Sequence, residues 1–79
     1  MRHSEEKLKA AILLIAKEFG KIYFFNNLYK IRFPIEKIIS SIAHLMFVKA
    51  FDPTNFDQEF FDAYFIIQEC AQDLYEQEN

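Results

Sequence analysis

Residues 55–77, NFDQEFFDAYFIIQECAQDLYEQ, decide the fold. Within them Phe56, Phe60, Ala63, Ile67, Cys70 and Leu74 recur at a 4-3-4-3-4 spacing. That spacing keeps apolar side chains on one side of an α-helix and marks a seam where helices pack. Asn55, followed three residues later by Gln58, reads as a capping box, and Asp57 and Glu59 suit the positive end of the same helix. Phe61, Tyr64, Phe65 and Tyr75 form a second apolar flank, and Glu59, Asp62, Glu69, Asp73 and Glu76 line the remaining side.

Upstream, Asp52-Pro53-Thr54-Asn55 is a chain break. Before it a helix is expected over Pro34–Phe51, with Pro34 as its first residue, where a preset φ helps and the missing N–H is not needed. Glu36, Lys37, Ser40, Ser41 and His44 make its polar face, opposite Ile35, Ile38, Ile39 and Ile42. Toward its end Phe47, Val48 and Phe51 replace the polar face, which predicts a segment that is buried or covered.

At the other end of the chain, Ser4 is placed to cap a helix over Glu5–Phe19, and Gly20 to stop it. Its stripe is Leu8, Ala11, Ile12, Ile15, Ala16 and Phe19. Residues 21–33 read in two ways. Asn26-Asn27 amid aromatic and β-branched residues suits a hairpin, whereas Phe24, Leu28 and Ile31, with Phe25 beside them, suit one face of a helix. The helix is preferred, because a lone two-stranded ribbon is weak. The expected fold is therefore all-α: one domain over residues 1–79, a compact bundle of three long helices plus a short fourth element at 21–33.

Composition narrows the function. A chain of 79 residues hides only about 60% of its unfolded surface. Yet 52% of its residues are hydrophobic and 18% aromatic, so part of that load is expected to face another chain. The single Cys70 rules out an internal disulfide framework and favours a cytoplasmic setting. No apolar run approaches the roughly 20 residues of a membrane span, and the first apolar stretch, flanked by lysines, reads as an amphipathic helix, not a signal peptide. The net charge of −3 conceals an asymmetry: residues 1–50 hold nine basic and four acidic side chains, and residues 51–79 hold eight acids and no base. Such halves suggest a charged partner, or two ends of one molecule attracting each other.

Catalytic chemistry is not expected. Glu36, Ser40 and His44 share a helix face, but a mid-helix serine has no free amides nearby to hold an oxyanion. His3, His44 and Cys70 are too few and too scattered for a closed metal site, and one glycine cannot build a phosphate-cradling loop. The expectation is no enzyme, no metal, no cofactor, no small-molecule substrate and no membrane.

Two function classes remain. The first is a small regulatory or inhibitory protein working through protein–protein contacts, of a composition compatible with phages and mobile elements. Its acidic face (Glu59, Asp62, Glu69, Asp73, Glu76) would meet a basic, nucleic-acid-handling partner, its carboxylates standing about 5–6 Å apart along the helix, near the phosphate spacing of a strand. The competing account of that stripe is an ordinary solvated face, or one neutralised by the chain's own Lys-rich half. Phe47, Phe51, Phe61, Phe65 and Tyr75 are the aromatics expected at a homodimer or partner contact. The second class rests on a resemblance. Ile22, Phe24, Ile31, Phe33, Ile38, Ile42, Leu45, Val48 and Phe51 have spacing that resembles a helix-turn-helix unit. The resemblance implies a DNA-binding regulator with Pro34–Val48 as recognition helix. Lys30, Arg32, Lys37, Ser40, Ser41 and His44 would then contact DNA, and the last helix would dimerise the protein.

Overall fold

The computed structural model describes residues 3–78. It contains α1 (Glu5–Glu18), α2 (Ile22–Lys30), α3 (Ile35–Val48), a single 3₁₀ turn (Pro53–Asn55) and α4 (Gln58–Glu78). Within residues 21–33, Ile22–Lys30 form a helix and not a hairpin. The Cα radius of gyration, 11.7 Å, is close to the roughly 11.6 Å expected of a folded chain of this length, so the helices form one compact body.

α1 starts where Ser4 Oγ accepts the Lys7 amide at 3.2 Å. It ends in a Schellman motif: Gly20, at φ +67°, donates to Lys17 O, and Lys21 donates to Ala16 O. The same motif closes the next two helices without glycine. Arg32 (φ +56°) donates to Tyr29 O while Phe33 donates to Leu28 O, and Ala50 (φ +50°) donates to Phe47 O while Phe51 donates to Met46 O. In both, the residue after the left-handed one is a phenylalanine; Phe51 packs against the core, whereas Phe33 is exposed.

Three boundaries shift as a result. α3 stops at Val48, short of Phe51, because Ala50 turns the chain. Pro34, with ψ 132°, is the residue before α3 and not its first turn. The cap of α4 is Asp57 rather than Asn55: Asp57 Oδ1 accepts the Phe60 amide at 3.2 Å, and Asn55 belongs to the 3₁₀ turn. That turn is itself capped by Asp52, whose carboxylate accepts from the Thr54 hydroxyl (2.6 Å) and amide (3.0 Å) and is held below its ordinary pKa by those bonds. A left-handed conformation costs an L-residue about 1–2 kcal/mol that glycine avoids. Ala50→Gly should therefore raise the melting temperature by several degrees, about 4–8 °C per kcal/mol for a domain of this size. Calorimetry of the variant checks it, and a fall would mean Ala50 makes contacts worth more than its strain.

The core is a single cluster. α1 supplies Leu8, Ala11, Ile12, Ile15 and Ala16; α3 supplies Ile38, Ile39, Ile42 and Met46; α4 supplies Ala63, Ile67 and Cys70. α2 contributes only Phe25. It lies on α1 with Phe25, Leu28 and Tyr29 inward, so its buried face is turned from the expected Phe24–Leu28–Ile31 line; Phe24 and Ile31 remain 55% and 70% exposed. Phe56 and Phe60, expected in the α4 seam, are half-buried and belong to an aromatic group around Phe51. The Phe51 ring lies 5.5 Å from Phe19, 5.0 Å from Phe56 and 5.8 Å from Tyr64, measured between centroids. These separations suit offset and edge-on ring contacts.

Candidate functional site

α4 organises the surface because it is the longest helix and packs on both α1 and α3. At 100° per residue its three lines of side chains separate cleanly. One line enters the core. A second, Glu59–Asp62–Ile66–Glu69–Asp73–Glu76, carries the expected acids with Ile66 in the middle. The third, Phe61, Tyr64, Phe65, Gln68, Gln72 and Tyr75, bears no charge at all.

The acidic line is not one uniform solvated face. Glu59, Asp62 and Glu76 are exposed, whereas Glu69 and Asp73 are half-buried. Glu69 Oε2 lies 3.3 Å from His3 Nε2, so the start of α1 reaches back to this carboxylate. Asp62 accepts from Gln58 Nε2 at 2.8 Å and Glu76 from Gln72 Nε2 at 3.3 Å. Because His3, before α1, meets Glu69 while Lys17 and Ile22, at and beyond its other end, line one groove with Glu59 and Asp62, α1 and α4 run antiparallel. Between them is an open groove of about 400 Å³ with an apolar floor of Ala10, Leu13, Leu14, Ala63 and Ile66. Lys7 and Lys17 form its basic rim, and Glu59 and Asp62 its acidic rim. Among the described residues, neither lysine reaches ion-pair distance of the opposite carboxylates. The spacing Lys7, Ala10, Leu14, Lys17 signals the basic rim in the sequence, since those four positions share a helix line.

The uncharged line of α4 borders the end of α3 where Phe47 lines a shallow groove with Tyr64 and Gln68, while Val48 faces the groove between α2 and α3. Phe47 is 82% exposed, Val48 60%, Phe65 46% and Tyr75 64%. The end of α3, expected to be buried or covered, is bare in this chain. Phe61 and Phe65 stack edge-on at 4.8 Å, and Phe65 meets Tyr64 at 5.6 Å. Of the five aromatics singled out from the sequence, Phe47, Phe65 and Tyr75 are exposed, Phe61 is half-buried, and Phe51 is drawn into the ring group.

Lys30, Arg32, Lys37, Ser40, Ser41 and His44 are all exposed. Ser41 and His44 edge an open groove of about 370 Å³ between α2 and α3, floored by Phe24, Phe25, Leu45 and Val48. On the other side of α2, Lys9 Nζ sits 4.6 Å over the Tyr29 ring, a cation–π contact. The Tyr29 hydroxyl is buried and has no hydrogen-bond partner among the described residues, and burial, assisted by nearby Glu5, pushes its pKa up to about 12. The neutral phenol is favoured over the ionised one in the fold, so the protein loses stability as the pH rises from 10 toward 12. Tyr29→Phe removes that buried hydroxyl. It should raise stability by about 1 kcal/mol and abolish that part of the alkaline loss, which thermal melts at neutral and alkaline pH will show.

No group of three or more His, Cys, Asp or Glu side chains among the described residues could hold a metal ion, and no described helix is long and apolar enough to cross a membrane. Comparison of the chain with protein-family models, with curated proteins and with solved structures returned no match.

Proposed function

We propose that this protein is a small, non-enzymatic regulatory or inhibitory module that acts by binding another protein in the cytoplasm. Its docking surface is the uncharged aromatic face shared by α3 and α4. The observation that carries this reading is the exposure of Phe47, Phe65 and Tyr75 beside a line of α4 that holds no charged residue. Specific contacts are enriched in aromatics and depleted of charge at their centre. The face is bounded on one side by Asp62, Glu69 and Glu76, so a partner seated on it meets carboxylates at its edge and needs a basic rim. Rim charges steer encounter more than they hold the complex. Asp62→Asn with Glu76→Gln should slow association and flatten its salt dependence, while Phe47→Ala with Phe65→Ala should speed dissociation. Capture from a lysate that is equal for wild type and the aromatic variant would remove the reading.

A second reading, a helix-turn-helix DNA-binding regulator, is supported by Lys37, Ser40, Ser41 and His44, which share the outer side of α3 after a short connection from α2. It is tested by gel shift over a salt series. DNA affinity that falls steeply with salt would favour it over the protein-binding reading.

A further inference from the structure

We propose that the groove between α1 and α4 is where two copies of this chain meet, in an antiparallel four-helix contact that leaves the aromatic face of α3 and α4 free for another partner. The groove carries opposite charges on its two sides: Lys7 and Lys17 along α1, Glu59 and Asp62 along α4. Within one molecule these rims do not reach each other. Such a surface is complementary to itself under one symmetry operation. A two-fold axis running along the groove lays α1 of each copy against α4 of the other, antiparallel and at the same level. Lys17 then faces Glu59 and Asp62 of the partner subunit, and the reciprocal pair forms on the other side, as a two-fold contact requires. A two-fold axis across the helices would set lysine against lysine and carboxylate against carboxylate, so charge selects the first arrangement.

The floor suits the same geometry. Ala10, Ala11 and Ala63 are small and let the backbones approach, while Leu13, Leu14 and Ile66 supply half-buried apolar surface that a second pair of helices would cover. Four antiparallel helices around such a strip make an ordinary bundle. A foreign helix would need both a basic and an acidic edge in matching register; a second copy has them already.

The experiment is sedimentation of the full chain at concentrations up to roughly 100 μM, at low and high salt. The wild type is expected to approach twice 9.5 kDa as concentration rises, and more weakly at high salt. Lys17→Glu alone, and Glu59→Lys with Asp62→Lys, should each raise the dissociation constant at least tenfold with an unchanged circular-dichroism spectrum, because all three side chains are exposed. Mixing the two variants should restore a heterodimer, which no folding defect can mimic. A wild type that stays at 9.5 kDa throughout overturns the proposal. So does a dimer indifferent to the charge reversals, or one abolished by Phe47→Ala, which would place the second copy on the α3–α4 face. The proposal is separable from the protein-binding reading: Phe47, Phe65 and Glu76 test that reading alone, Lys17 and Glu59 test this one alone, and only Asp62, at the boundary of the two surfaces, enters both.

Discussion

Ile67→Ala should lower the melting temperature by roughly 8–40 °C, the largest effect expected of any single truncation on α4. Ile67 has no solvent exposure and lies in the line of α4 that meets α1 and α3. Truncating such a side chain costs about 2–5 kcal/mol, partly in lost transfer energy and partly in the cavity left behind. A chain of 79 residues has only about 4–12 kcal/mol of stability in total, at 0.05–0.15 kcal/mol per residue. Conversion to temperature uses the roughly 4–8 °C per kcal/mol of small domains. Phe60→Ala is the control: the ring is larger but half-buried, resting on Phe56 at 5.2 Å, and its loss should cost less. Thermal melts followed by circular dichroism decide the matter. An Ile67→Ala protein that melts with the wild type would show that α4 does not pack through this line.

The second large effect is on binding. Phe47→Ala with Phe65→Ala should weaken capture of the physiological partner by a factor of 30 or more, since central aromatic anchors are commonly worth about 2 kcal/mol or more each. Stability should fall by much less than in Ile67→Ala, because Phe47 is 82% exposed and Phe65 46%, against none for Ile67. The combination of largely retained stability and lost capture separates a docking face from a core. Equal loss of both would mean that these rings support the fold through Tyr64 and Phe61, which touch Phe65.

Much of this architecture is legible in the residues themselves. The stripe Leu8–Ile12–Ile15, the seam Ala63–Ile67–Cys70 and the Ser4 and Gly20 caps each follow from local rules: helical periodicity, a hydroxyl before the first turn, and a residue that accepts positive φ. The acidic line of α4 and the basic line of α1 are equally plain in linear spacing, because side chains on one helix keep fixed angles. Nothing local says, however, that the line of Lys7 and Lys17 will stand beside Glu59 and Asp62.

Tertiary structure decided the rest. Ala50 and Arg32 take left-handed conformations that no local preference favours, and they do so where Phe51 and Phe33 complete the cap behind them. For Phe51 the anchoring is visible as ring contacts with Phe19, Phe56 and Tyr64, residues far apart in the chain. At 21–33 local propensity suits helix and hairpin alike, and the preference for a helix rests on the weakness of a lone ribbon; α1 offers the surface on which Phe25, Leu28 and Tyr29, sharing one side only of a helix, pack. The same packing turned Phe24 and Ile31 outward and left Phe47 bare. By itself the sequence determined which side chains share a helix line, because that is a property of one helix. Which lines meet, which stay exposed and which charges face one another depends on distances between helices, and those exist only once the bundle has formed.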